Sequence, residues 1–159
     1  MPLTGTYERS LDDKLRLAVP KRLRDEFQEG EITSLYAAPG IDRCIALYSP
    51  TGFQKFAEKL EQQPAYRTDV RSYARLFYAQ SERLDLDSQG RVRIPDRLAK
   101  MVGLTREVVL IGVNDRAEVW DQTVWNEYLA RLSPEIDSIA TQVLGTPNSS
   151  SKGEQETPK

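Results

Sequence analysis

The sequence predicts an α+β protein with a mainly β core, built by tandem duplication of one half-module. Residues 11–20 return as residues 86–95 at an offset of 75, and residues 47–56 return as residues 119–128 at an offset of 72. Two blocks repeated in the same order indicate a duplication rather than chance similarity. Short alternating apolar runs between turn residues favour strands, and stretches with helical spacing follow them. The three-residue difference between the offsets is expected in a loop, where insertion costs little.

Each half begins with the same order of elements. A strand precedes an Asp-x-x-x-Arg turn, and alternation after the turn predicts a second short strand over residues 16–19 or 91–94. Pro20 and Pro95 then open a short helix, at the position where a missing N–H costs nothing. One apolar face and a closing glycine define that helix in each half: Leu23, Phe27 and Gly30, then Leu98, Val102 and Gly103.

A hairpin and an amphipathic helix complete each half. The hairpin strands are predicted at residues 34–38 and 44–48, and again at residues 107–113 and 117–120, with turn residues between them. The helix that follows has apolar residues spaced three, four and seven apart, which predicts a face packed in the core. These residues are Phe53, Phe56 and Leu60 in the first half and Trp125, Tyr128 and Leu132 in the second.

The predicted boundaries divide the chain into five parts. These are repeat 1 (5–52), a helical linker (53–80), repeat 2 (81–124), a C-terminal helix (125–144) and a polar tail predicted to be disordered (145–159). The linker has arginines four residues apart, at Arg67, Arg71 and Arg75. A solvated helix face paired with acidic neighbours is the favoured interpretation, and a row that faces phosphate is the alternative.

Composition argues against an enzyme. The chain has 22 Lys and Arg against 24 Asp and Glu, one cysteine and no histidine. The chain therefore cannot form a Ser-His or Cys-His nucleophile, a His-ligated metal site or an intrachain disulfide. It also has no glycine-rich phosphate-loop motif. We expect no catalytic residue, no cofactor, no metal ion and no small-molecule substrate. The sequence has no apolar segment long enough to span a membrane and no export signal, which predicts a cytoplasmic protein without a membrane partner.

The duplicated Asp-x-x-x-Arg turn is the candidate functional site. The two pairs are Asp12 with Arg16 and Asp87 with Arg91. In a turn between strands, the carboxylate can accept free backbone N–H groups while the arginine lies within its reach. One interpretation is purely structural, since such a pair can simply hold its turn in place. The alternative is a functional surface, which the distribution of charge favours.

Basic residues are concentrated around both turns although the net charge is only −2. Residues 9–24 hold six basic and two acidic side chains, and residues 83–100 hold five basic and three acidic ones. A net-acidic protein can thus present a basic surface, and a two-stranded ribbon can enter a DNA groove while cations contact phosphate. The candidate DNA-binding residues are Asp12, Lys14, Arg16, Asp87, Arg91 and Arg93.

These features resemble the MraZ transcriptional regulators of bacteria, within the AbrB-like (SpoVT-AbrB) group of DNA-binding folds. The resemblance rests on the paired Leu/Asp-x-x-x-Arg-x-x-x-Pro blocks, on Tyr48, on Val119-Trp120 with Trp125, and on their order, and it covers about residues 3–143. It implies one pseudo-twofold β-barrel to which both half-modules contribute strands, with flanking helices. It also implies a ring-like homo-oligomer, associated with the nucleoid, whose two loops recognise short direct repeats in double-stranded DNA upstream of its own division and cell-wall gene cluster.

The first loop departs from the family pattern. The family usually has glycine before the arginine, as at Gly90, whereas this chain has Leu15 at the corresponding place. Glycine tolerates positive φ, while leucine in that region is strained. We therefore expect the first loop to form a different turn and the two loops to contribute unequally to binding.

Two functions from different classes remain open at this point. The favoured one is a homo-oligomeric, sequence-specific DNA-binding regulator, in which a ring that engages several repeats strengthens weak single contacts. The alternative is a homo-oligomeric interaction or scaffold module in which the same turns only stabilise the fold. The alternative predicts oligomers without salt-dependent DNA binding.

Overall fold

The computed structural model describes residues 2–27 and 30–145, which contain eight β-strands and six α-helices. The first half contains β1 (Thr6–Ser10), β2 (Arg16–Ala18), α1 (Lys21–Glu26), β3 (Ser34–Pro39), β4 (Ile45–Tyr48) and α2 (Pro50–Glu61). After α3 (Thr68–Gln80), the second half contains β5 (Glu82–Asp85), β6 (Arg91–Arg93), α4 (Asp96–Val102), β7 (Glu107–Val113) and β8 (Arg116–Asp121). Then come α5 (Gln122–Leu132), a 3-10 turn (Ser133–Glu135) and α6 (Ile136–Leu144). Apart from Gly145, the tail predicted to be disordered lies outside the described residues.

The strands of the two halves are interlocked. Six strands form an antiparallel sheet in the order β1-β7-β8-β4-β3-β5, and β2 pairs with β6 in a separate ribbon. The first strand of each half thus pairs with the third strand of the other half, β1 with β7 and β5 with β3. Because these pairings cross between the repeats, neither half can complete its own sheet.

A pseudo-twofold axis follows from the strand registers. In the ribbon, Leu17 faces Val92, its own duplicate at an offset of 75. In the sheet, Ala46 faces Glu118, its own duplicate at an offset of 72. A residue paired with its own copy marks the position of a twofold axis, so the axis relates the repeats through both layers.

The strand pairing corrects one detail of the predicted architecture. The α+β class and the duplicated, mostly antiparallel core are confirmed. The barrel that the resemblance implied is not closed, since β1 and β5 are the edges of the six-stranded sheet. The ribbon cannot close it because β2 and β6 are three residues long and all their ladder pairs join them to each other.

The main core lies between the six-stranded sheet, the ribbon and the helices α1 and α4. Its fully buried side chains include Leu17, Val92, Leu23 and Leu98. The predicted apolar faces of the two short helices therefore point into this core, and Gly103 ends α4 in the left-handed conformation with φ 69°. Burial of each such side chain contributes about 1.5–3 kcal/mol. The ribbon is thus held from beneath by apolar packing.

An aromatic cluster covers the opposite face of the sheet. Phe77 of α3 is buried and its ring lies 4.8 Å from Phe56 and 5.9 Å from Phe53 of α2. Tyr48 of β4 completes the cluster, 5.8 Å from Phe56. The predicted apolar face of α2 packs here but is only half-buried, because α2 and α3 form the outer layer.

The three arginines of the predicted row, one directly before α3 and two within it, are exposed. Arg67 forms an ion pair with Asp69 at 2.6 Å. Arg71 donates hydrogen bonds to the carbonyl oxygens of Ala65 and Tyr66. Local groups of the same segment therefore satisfy these two guanidinium groups.

The chain divides into two compact units, residues 1–122 and 123–159. The second unit contains most of α5, the 3-10 turn and α6 among its described residues. Trp125 and Tyr128 stack there with their ring centres 5.7 Å apart and are half-buried. The boundaries of the repeats and of the C-terminal helix stay a prediction. None of the helices in the described part of the chain combines the length and apolarity that crossing a membrane requires.

Candidate nucleic-acid interface

The second Asp-x-x-x-Arg loop is organised around one carboxylate. The Gly90 N–H donates to the carbonyl oxygen of Asp87 at 3.0 Å, which closes a tight turn. Asp87 Oδ1 accepts the backbone N–H groups of Gln89 and Arg91 at 2.8 and 2.9 Å. Asp87 Oδ2 accepts from Arg91 Nε at 2.8 Å. The carboxylate therefore fixes both the turn and the direction in which the guanidinium leaves it.

The first loop has the same structure, contrary to expectation. Asp12 Oδ1 accepts the N–H groups of Lys14 and Arg16 at 2.9 and 2.8 Å, and Asp12 Oδ2 accepts from Arg16 Nε. Leu15 adopts the left-handed conformation with φ 58°, close to the 75° of Gly90. The prediction of a different turn is thus wrong. The hydrogen bonds to Asp12 and the packing of Leu15 against the main core impose the conformation that the side chain alone disfavours.

These hydrogen bonds lower the pKa of both aspartates. The backbone N–H of Arg16 is the largest cause at Asp12, and that of Arg91 is the largest cause at Asp87; the arginine side chains add to the effect. A lowered pKa in the folded state means that the ionised carboxylate stabilises the fold. This contribution is complete above the unfolded-state pKa of about 3.9 and disappears as the pH falls through the folded-state value.

The loops should therefore show a defined acid dependence. We expect the double variant Asp12→Asn/Asp87→Asn to unfold at a lower temperature than the wild type at pH 7. The gap should shrink as the pH falls below about 4, because protonation removes the same interactions from the wild type. Thermal unfolding followed by circular dichroism between pH 7 and pH 3 measures this. Asp25→Asn is the control, since that exposed carboxylate forms a surface ion pair with Lys21 on α1, away from both turns. A gap independent of pH would contradict the assignment.

The ribbon brings the two loops side by side. Because β2 and β6 pair antiparallel, Arg16 lies opposite Arg93, and Ala18 lies opposite Arg91. Arg91 Nη1 also approaches the carboxylate of the first loop, with Asp12 Oδ2 at 4.0 Å. The two turns therefore form one continuous surface, which we call the loop ribbon, residues 12–18 and 87–93.

The loop ribbon carries four basic side chains against three acidic ones, so its net charge is +1. Arg16 lies opposite Arg93 in the strand register, and the carboxylate of Asp12 offsets the charge of Arg16. Within the described residues, the exposed side chains of Lys14 and Arg93 form no ion pair. The carboxylates of Asp12 and Asp87 neutralise the arginines of their own turns, and Asp12 also attracts Arg91 across the ribbon. An anion bound beside Lys14 and Arg93 would neutralise the two exposed cations.

All six predicted site residues lie on the loop ribbon: Asp12, Lys14, Arg16, Asp87, Arg91 and Arg93. Other basic residues near the turns are paired with acidic neighbours: Lys21 with Asp25, Arg22 with Glu26, and Arg97 with Glu82. Arg24 is one of the six basic residues of segment 9–24 and was not predicted as a site residue. The structure places its guanidinium against Gly90 of the second loop.

Fold and site together define a class of protein, a tandem-duplicated α+β module that presents two arginine-bearing turns on one ribbon. Comparison with known proteins then identifies the family. The family model described as "MraZ protein" matches residues 3–75 and 77–144, one segment for each half. The chain belongs to the MraZ family.

Two curated relatives extend over most of the chain. The Transcriptional regulator MraZ of Syntrophomonas wolfei is 36% identical over 140 residues, which is 88% of this chain and 95% of the relative. The Transcriptional regulator MraZ of Moorella thermoacetica is 32% identical over the same length and with the same coverage. Both relatives are named for a regulatory, non-enzymatic role, and membership of this family confirms that the chain is not an enzyme.

Proposed function

We propose that this chain is a transcriptional regulator that binds double-stranded DNA in a sequence-specific manner through its loop ribbon. The observation that carries the proposal is the meeting of two Asp-x-x-x-Arg turns on one ribbon, beside the exposed cations of Lys14 and Arg93. Exposed cations of this kind favour binding to a polyanion, because neutralising phosphates releases counterions. The names of the two relatives support a role in transcription.

A division of labour follows from the geometry. Asp12 and Asp87 restrict Arg16 and Arg91 to one orientation, which suits recognition of base edges. Lys14 and Arg93 are exposed and suit phosphate, which positions a protein on the duplex without reading sequence. The acidic residues thus act by orienting arginines rather than by touching the DNA.

The two loops of one chain read one short stretch of DNA. Because Arg91 lies 4.0 Å from Asp12, the loops cannot occupy separate binding sites along a duplex. Several short direct repeats then require several chains. We therefore propose that copies of this chain assemble into a ring-like oligomer that engages repeats upstream of its own division and cell-wall gene cluster, in the cytoplasm and on the nucleoid. Assembly would strengthen binding because the later contacts become intramolecular.

The proposed function is tested by binding of the full chain to its own upstream DNA. Fluorescence anisotropy should show at least tenfold tighter binding to this fragment than to a shuffled fragment of equal length. Affinity should fall steeply between 50 and 200 mM salt, because phosphate contacts release counterions. Equal affinity for both fragments would contradict sequence specificity. An oligomer without any salt-dependent DNA binding would favour the scaffold alternative instead.

A further inference from the structure

The pseudo-twofold axis relates two positions that carry very different side chains. Leu15 in the first loop corresponds to Gly90 in the second, and both have positive φ. Each loop is also anchored in the other half by one equivalent hydrogen bond. The Val19 N–H donates to the carbonyl oxygen of Gly90 at 3.0 Å, and the Ile94 N–H donates to that of Leu15 at 2.9 Å. The backbones are therefore equivalent while the volumes beside them differ.

Arg24 occupies the space beside Gly90. A Cβ atom at position 90 would lie 2.8 Å from Arg24 Cζ, 3.0 Å from Nη2 and 3.1 Å from Nε. The Nε atom donates to the carbonyl oxygen of Val19 at 3.2 Å, and Val19 is the residue that anchors Gly90. The half-buried guanidinium thus lies directly against the buried backbone of the second loop.

The duplicate of Arg24 is a small residue. At the offset of 75, Arg24 corresponds to Ala99, which is 6% exposed and belongs to the core against which Leu15 packs. A large side chain at position 15 is therefore matched by a small one at position 99. At the pseudo-equivalent place, glycine at position 90 is matched by arginine at position 24. The same space is filled from the loop in one half and from the helix in the other.

We propose that Arg24 is a positioning residue for the second loop of the DNA-binding surface. Its guanidinium covers the Gly90 peptide and links the second loop to α1, as the Leu15 side chain links the first loop to the core. The contact between Arg24 and Gly90 does not depend on the function, whereas its consequence for DNA recognition rests on the proposed function. The second loop is then supported by a cation and the first by apolar packing, which makes their contributions to binding unequal.

Giving the second loop the side chains found at the equivalent positions of the first tests this proposal. Gly90→Leu alone should reduce affinity for the upstream DNA more than tenfold and lower the melting temperature, because the new side chain collides with Arg24. The double variant Gly90→Leu/Arg24→Ala copies the pairing of Leu15 with Ala99. It should recover more than half of the melting temperature lost by Gly90→Leu. A double variant whose losses are simply the sum of the single losses would overturn the proposal.

Variants of Arg24 separate positioning from direct contact. Arg24→Ala should weaken DNA binding about three- to tenfold without changing the salt dependence. Arg24→Lys should behave like Arg24→Ala, because lysine keeps the charge but has neither the planar group nor the Nε donor. Wild-type affinity in either variant, or a salt slope reduced by about 0.9 as for one lost phosphate contact, would overturn the positioning role. Arg75→Ala, on the exposed face of α3, controls for loss of one positive charge.

The readouts distinguish this inference from the proposed function. If the wild type showed no preference for its upstream DNA, the proposed function would fail. Melting temperatures of Gly90→Leu, Arg24→Ala and their combination would then decide whether Arg24 holds the second loop. Selective wild-type binding with no coupling between positions 24 and 90 would preserve the function and reject the inference.

Discussion

The double variant Arg16→Ala/Arg91→Ala is expected to bind its upstream DNA at least about 30-fold more weakly than the wild type. Each well-oriented arginine contributes roughly 1–3 kcal/mol of base discrimination, and 1.4 kcal/mol corresponds to a factor of ten. If both arginines also contact phosphate, the slope of log affinity against log salt should fall by about 1.8. Fluorescence anisotropy over a salt series measures both quantities.

A matched variant gives this experiment its control. Arg67→Ala/Arg75→Ala also removes two arginines, but from exposed positions directly before α3 and on α3, and this helix packs on β3. It should bind almost as tightly as the wild type. Equal losses in the two double variants would show that net charge alone governs binding. Unchanged affinity and slope in Arg16→Ala/Arg91→Ala would exclude the loop ribbon as the DNA-binding surface.

Phe77→Ala is expected to lower the free energy of unfolding by about 3–5 kcal/mol, as truncation of a buried phenylalanine leaves a cavity. The side chain is 1% exposed, and four rings lie within 6 Å of it, those of Phe53, Phe56, Tyr73 and Tyr78. Because Phe77 packs against rings of α2, its loss also weakens the packing of α3. Urea unfolding monitored by circular dichroism gives the value.

The neighbouring residue supplies the control for this variant. Leu76 lies on the same helix and is 66% exposed, so Leu76→Ala should change the unfolding free energy by no more than about 0.5 kcal/mol. Similar losses in the two variants would contradict the packing described for α3. The loop ribbon lies beyond the other face of the sheet, so DNA binding by folded Phe77→Ala should match the wild type.

Much of the fold was predictable because its signals are local. The apolar run within residues 107–113 and the helical spacing in α2 depend only on neighbouring residues, and both elements form where they are predicted. The pairing of each half's first strand with the third strand of the other half was not predictable, since β1 and β7 lie about 100 residues apart in the sequence. The prediction that the apolar face of α2 packs in the core was only partly right, because that face is half-buried. A spacing pattern identifies an apolar face but not how many layers cover it.

The candidate site, like the fold, was predictable where its signals are local and not where it depends on distant residues. The Asp-x-x-x-Arg spacing predicts a carboxylate within reach of backbone N–H groups, and the structure shows this arrangement at Asp12 and Asp87. The expected change of turn at Leu15 was wrong because a residue's preferred φ is a weak term beside several hydrogen bonds and core packing. Arg24 was missed as an individual site residue because it contacts the second loop across the pseudo-twofold axis.

The sequence by itself determined the duplication, the α+β class, the two acidic-basic turns and the absence of histidine chemistry, since each depends on residue identity and short spacing. Only the tertiary structure decided that the two turns meet on one ribbon and that Arg16 lies opposite Arg93. The physical reason is that pairing of β2 with β6 joins segments 75 residues apart. Burial of Leu17 and Val92 on the pseudo-twofold axis sets that pairing, and no local pattern encodes it.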